Sequence, residues 1–233
     1  MTIAAMQPYL FPYIGYFQLI NSCDIFVMYS NVQYIKKGWI NRNRILVNGK
    51  PHYITLPVKH DDFHKYINER YFTDDFRLQK QKMLHLIENT YAKAPNYREA
   101  IELIKNSFSF SNCCVSSFIE NSIVLVCKYL GIKTKLMTSS EMHIDDVQSV
   151  QDRVIKIVKT IDADHYINAI GGINLYDKTY FDNEGVKLSF IKPRNITYKQ
   201  FKHEYIPFLS IIDVMMFNDI NTIKEFLLEY DLI

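Results

Sequence analysis

Before residue 60 the chain sets Lys36, Lys37, Arg42, Arg44, Lys50 and Lys59 against a single acid, Asp24. Between these cations lie tyrosines, Trp39 and the amides Gln7, Gln33, Asn41 and Asn43. Charge segregated in this way offers a place for an anionic group, and the aromatics suit a flat or ring-shaped partner. Lys36, Arg42 and Arg44 have the chemistry to pair with phosphate oxygens, the two guanidinium groups bidentately. Trp39 offers a face for a base or a sugar. Arg42 and Arg44 are two residues apart, so on a strand they share one face. The competing reading is a solvated strand edge guarded by lysines, and it suits Lys37 and Lys50 better.

Three further groups could do chemistry. Gln7 follows the short apolar run Thr2 to Met6, so its amide would stand at a strand end, in front of Tyr9, Tyr13 and Tyr16. In open α/β sheets ligands bind at strand carboxyl ends, and helix starts attract anions. Core packing by the aromatics is the alternative. The stretch NAIGGINLY, Asn168 to Tyr176, follows another apolar run. Gly171 and Gly172 could bring backbone N–H groups to a phosphate or an oxyanion, or simply form a tight turn. His203 and Glu204 are candidate acid–base groups. Ser210 reads as a helix cap, with Asp213 at the third helical position completing a capping box.

Several chemistries have no motif to carry them. The seven histidines show neither HxH nor HExxH spacing, so no metal is expected. GxGxxG, Walker A, GxSxG and a cysteine-nucleophile signature are all absent. The formal net charge of +2 argues against a nucleic-acid binder. Cys23, Cys113, Cys114 and Cys127 show no CxxC pairing, and no apolar run or leader pattern marks a membrane span or secretion. A reducing, cytoplasmic setting is the expectation.

The elements that must position these groups follow from periodicity. Thr2 to Met6 and Ile25 to Tyr29 read as buried strands flanking a helix that runs to about Asn21, with Pro12 in its first turn. Arg44 to Val58 reads as a hairpin turning at Asn48-Gly49. Phe76 to Tyr91 carries one apolar helical face, and Val115 to Leu130 another, stopped by Gly131. Lys133 to Met137, His165 to Ala169 and Val186 to Ile191 are further strands. A helix spans Val147 to Ile161, and the carboxyl end is helical from about Ser210. The pattern predicts one three-layer α/β domain over residues 1–233, with a mostly parallel, Rossmann-like or nucleotidyltransferase-like sheet. A helical middle region and a β-hairpin excursion interrupt it.

Four segments carry a resemblance: MQPYLFPYIGYFQLI, VQYIKKGWINRNRILVNGKP, the SSE of Ser139 to Glu141 with the QDRVIKIVK beyond it, and FLSIIDVMMFN. Through them the chain resembles the WbqC-like protein family over nearly its whole length. Members often carry a Ser-Gly pair before a further glycine where this chain has Asn168, Ala, Ile, Gly171 and Gly172. The resemblance implies a bacterial enzyme of O-antigen or other surface-polysaccharide (lipopolysaccharide) biosynthesis that tailors a nucleotide-linked amino sugar by acyl or aminoacyl transfer. No tightly bound cofactor is then expected. An activated acyl donor, acyl-CoA or a carrier-protein thioester, would be the co-substrate, and an acyl carrier protein a partner.

On that reading Gln7, His203 and Glu204 are the catalytic candidates. Tyr9, Tyr13, Tyr16, Gln33, Lys36, Trp39, Asn41, Arg42, Gly171, Gly172 and Tyr176 are the substrate-binding ones. The opening is also similar to nucleotidyltransferases of the pantothenate-synthetase type. Their His-x-Gly-His is replaced here by Tyr13, Ile14, Gly15 and Tyr16, and tyrosine supplies no imidazolium charge to a leaving phosphate. That activity and a non-enzymatic binding role are the alternatives.

Overall fold

The run Thr2–Met6 forms strand β1, and helix α1 (Ile14–Asn21) leads to β2 (Ile25–Met28) beside it. The two strands pair in parallel, Ile3 opposite Ile25 and Met6 opposite Met28. The computed structural model describes residues 1–62, 64–142, 144, 149–202 and 204–233. Helix α1 begins after Tyr13, so Pro12 precedes the cap and does not occupy the first turn.

The excursion comes next. Strands β3 (Arg42–Val47) and β4 (Lys50–Thr55) pair antiparallel, from Arg42 opposite Thr55 to Val47 opposite Lys50. Asn48 and Gly49 both have left-handed backbones, φ 49° and 71°, as a two-residue hairpin turn with the right twist requires. Helices α2 (Phe76–Tyr91), α3 (Tyr97–Ser109) and α4 (Val115–Leu130) form the helical middle. Gly131, at φ 71°, ends α4.

The chain then returns to the sheet. Strand β5 (Lys135–Thr138) pairs in parallel with β2. Helix α5 (Val150–Thr160) is capped by the Ser149 hydroxyl, which accepts from Asp152 N; Val147, expected in this helix, lies outside the described residues. Strand β6 (His165–Ala169) pairs with the other side of β1. Helix α6 (Lys178–Asn183), strand β7 (Lys187–Pro193) and helices α7 (Ile211–Phe217) and α8 (Ile220–Phe226) follow. The short strand β8 (Tyr230–Leu232), absent from the sequence reading, closes the sheet antiparallel to β7.

The sheet order is β5-β2-β1-β6-β7-β8, parallel throughout except for β8. Alternation along the strands builds three layers. Ala4, Phe26, Met28 and Ile167 face a core with α1, the hairpin and helices α2, α3, α4 and α7. Ile3, Ala5, Val27, Tyr166 and Leu188 face a second core with α5 and Phe181 of α6. From β1 the chain travels outward through β2 to β5, then returns to the opposite side of β1. The order therefore reverses between β1 and β6, and the crevice beyond their carboxyl ends is where such sheets bind ligands.

Candidate functional site

A cavity of about 760 Å³ opens at that reversal, and Gln7 lies on its wall. Residues at strand ends furnish one side: Met6 at the end of β1, Tyr29 after β2, and Asn168 and Ala169 of β6. Helix α5 adds Arg153, whose guanidinium carbon lies 6.0 Å from the Tyr29 ring centre. Arg153 Nε and the Tyr29 hydroxyl are buried with no hydrogen-bond partner among the described residues. Arg153 also makes no salt bridge among them.

The floor of this cavity is rigid. Asn168 Nδ2 donates to the Tyr166 hydroxyl at 2.9 Å, and its Oδ1 accepts from Ala169 N at 2.7 Å. Tyr166 in turn donates to the carbonyl of Ala5. Burial raises the Tyr166 and Tyr176 pKa values, so both phenols remain neutral. Gly171 and Gly172 lie in a 3₁₀ turn over Ile170–Leu175, and neither has a positive φ. A Cβ on Gly172 would come within 3.2 Å of Asn168 Oδ1, whereas one on Gly171 would meet nothing within 4 Å. Close approach to the fixed amide therefore accounts for Gly172 alone.

A second cavity, of about 460 Å³, shares Met6 and Gln7 with the first. Tyr9, Tyr13, Trp39, Arg44 and Phe208 give it an aromatic lining with one cation. Buried Asn43 shapes it by donating to the carbonyls of Leu10 and Phe11, at 2.9 and 2.6 Å. Leu10 N donates to Ile40 O at 2.9 Å, so the loop after β1 is clamped to the segment just before β3. The Arg44 guanidinium carbon lies 5.5 Å from the Trp39 ring centre, and Nη2 donates to the Phe208 carbonyl at 3.2 Å. Its Nε is buried without a partner among the described residues. The Tyr9 hydroxyl accepts from Tyr13 N, and burial raises both phenol pKa values, leaving neutral donors. No carboxylate, imidazole or thiol is among the residues described on either wall.

The remaining candidates lie elsewhere. Lys36, Asn41 and Arg42 line a third cavity, of about 500 Å³, and not the cavities that hold Gln7. Arg42 gives Nε to the Gly38 carbonyl at 2.8 Å and Nη2 to that of Lys37, and stacks over Tyr53. Asn41 accepts from the Tyr34 hydroxyl and donates to Leu56 O, so both ends of its amide brace the fold. Tyr16 is 2 % exposed and packs edge-on against Tyr9 and Phe26. Gln33 is exposed and bridges to Tyr66. Glu204 is exposed and lines none of the three cavities; His203 lies outside the described residues.

Arg153, Tyr29 and Phe208 line the cavities without having been given a role from the sequence, and Asn168, read there only as the start of the glycine stretch, belongs to the cavity wall. Arg153 is one cation beside an apolar helical stripe, and nothing in its spacing distinguishes it. Among the described residues no three His, Cys, Asp or Glu side chains gather as a metal site. No helix among them is long and apolar enough to cross a membrane.

The model of the WbqC-like protein family matches residues 7–225, a span that holds every residue lining the two cavities except Ala5 and Met6. An uncharacterised protein of Mycobacterium tuberculosis, Rv1507c, is 26% identical over 216 residues, covering 91% of this chain and 92% of its own length. No solved structure matches significantly.

Proposed function

The chain belongs to the WbqC-like protein family, and on that premise we propose that it is a transferase that acylates the amine of a nucleotide-linked sugar. One observation carries the reading: two cavities of different character meet at Gln7. A reaction between two bound substrates needs such a junction, because holding both reactants in place supplies much of the rate. The cavity at the sheet reversal suits the nucleotide sugar, with Arg153 toward its phosphates and the turn at Gly171 and Gly172 beneath. The aromatic cavity suits the acyl donor, with Trp39, Tyr9 and Tyr13 around its apolar part.

The sugar nitrogen attacks the thioester carbon, the C–N bond forms, the C–S bond breaks, and the amine proton leaves with the thiolate as thiol. Gln7 orients the reacting carbonyl. Hydrogen-bond donors near Gly171 and Gly172 stabilise its developing charge. Neither wall contributes a described carboxylate or imidazole, so the reading relies on positioning and not on a side-chain base.

The test incubates the protein with acyl-CoA and UDP-, dTDP- or GDP-linked amino sugars and follows product mass and free thiol. The expected result is a sugar nucleotide heavier by the acyl group, with one thiol released per product. Gln7→Ala should slow the reaction by about 10²-fold, as removal of one orienting donor does. Release of pyrophosphate from ATP and magnesium, with no acyl product, would favour nucleotidyl transfer instead.

A further inference from the structure

The third cavity lies across the segment 34–42 from Gln7, and its charge is one-sided. Lys36, Lys37, Arg42 and Arg70 line it, and none of them forms a salt bridge among the described residues. Lys59, also on the wall, is paired with Asp74. The lining carboxylate, Asp61, is held by Lys65 at 2.7 Å.

Arg70 decides the reading. It is 4 % exposed, and its Nε is buried with no partner among the described residues. Its guanidinium carbon lies 5.1 Å from the centre of the Tyr34 ring, which offsets only part of a buried charge. A guanidinium taken out of water is costly unless an anion and hydrogen bonds compensate it. The backbone nevertheless fixes it: Arg70 N donates to Ile67 O, and Val115 N, at the start of α4, donates to Arg70 O. The lysine rim is ordered as well. Arg42 bonds the carbonyls of Lys37 and Gly38, and Lys37 is held at a left-handed φ of 64°. Among the described residues, then, this cleft sets a buried arginine that forms no salt bridge beneath two exposed lysines that form none either, and Asp61, hydrogen-bonded to Lys65, reaches Arg70 only through the field of its charge.

We propose that this cleft is a second ligand site, which binds the oligophosphate group of a nucleotide or a coenzyme. Arg70 would take two oxygens at once and Lys36 and Lys37 would act as point charges. The volume, about 500 Å³, exceeds what one phosphate needs, and Tyr34, Pro57 and Val58 offer apolar wall to the rest of the molecule. The inference does not rest on the acyl-transfer reading.

Calorimetric titration of the full chain with inorganic pyrophosphate tests it, using wild type, Lys36→Ala/Lys37→Ala, Arg70→Met and Arg153→Ala. One equivalent should bind at the cleft, counted apart from any that Arg153 holds at the sheet reversal. The dissociation constant of that equivalent should rise about tenfold or more in the first two variants, as loss of a charge-assisted contact implies, while Arg153→Ala should remove only the share bound at the reversal. The lysine variant alters only exposed side chains, so it decides the matter should Arg70→Met fail to fold. Coenzyme A and UDP are then added as competitors. Displacement by the first assigns the cleft to a coenzyme, and displacement by the second to a nucleotide. The proposal is overturned by no binding at millimolar pyrophosphate, or by displacement with neither competitor. Binding lost in Arg153→Ala but kept in the lysine variant also overturns it, because that places the anion at the sheet reversal.

Discussion

Asp213 is fully buried and accepts three hydrogen bonds, from the hydroxyls of Tyr91 and Tyr198 at 2.7 Å each and from Gln200 Nε2 at 2.8 Å. The expected capping box is therefore only half present. Ser210 does cap α7 by accepting from Ile212 N, but Ser210 N goes to Arg44 O and the Asp213 side chain turns into the core. Burial raises the Asp213 pKa above its ordinary 3.8, and the three donors only oppose that shift. A carboxyl group raised in the folded state contributes stability that is fully present below pH 3.8 and lost as pH rises through the folded value. Denaturant unfolding of wild type and Asp213→Asn, from about pH 3 to pH 7, checks the sign. The difference should move in favour of Asn as pH rises, and a difference that does not change with pH contradicts the account.

At this scale the sequence was legible where chemistry and position coincide. Gln7 and Trp39 stand out because a polar amide follows an apolar strand and the lone tryptophan sits among cations; both line a cavity. Arg42 was harder to place, since neighbours on one strand face can point into different cavities. Arg44 lines the aromatic cavity, while Arg42 lines the third and its guanidinium bonds the Lys37 and Gly38 carbonyls.

At the scale of elements, the 3₁₀ turn after β6 ties backbone conformation to the site. Asn168 is fixed at both ends of its amide, by Tyr166 and by Ala169 N, so it can make room for a methyl group on Gly172 only by weakening those bonds. Gly172→Ala should displace that amide and weaken ligand binding at the reversal by about tenfold, a loss of roughly one hydrogen bond's worth. Gly171→Ala, with open space around its Cβ position, should leave binding unchanged. Equal effects from both would refute the placement. Strand and helix types were legible from periodicity, and the hairpin from Asn48-Gly49. Strand β8 was not, because three largely exposed residues carry no alternation to read.

For the whole molecule, the site is a product of strand order. Alternating strands and helices foretold a parallel sheet, but not that β6 returns beside β1 after the long helical excursion. That return brings Gln7 within one cavity of residues some 150 positions away, such as Arg153 and Asn168. The charge pattern has the same logic. A net charge of +2 conceals the cationic opening segment, and folding divides that segment between the aromatic cavity and the Arg70 cleft.

The most direct test of the central claim is calorimetric binding of UDP-, dTDP- and GDP-linked amino sugars to wild type and Arg153→Ala. The account predicts that one of them binds wild type and that Arg153→Ala weakens it by about tenfold or more, the value of a charged hydrogen bond to phosphate. Melting behaviour should stay near wild type, since Arg153 pairs with no acid among the described residues. Binding that is indifferent to Arg153, or absent for every nucleotide sugar, would contradict the claim that the sheet reversal is the nucleotide-sugar site.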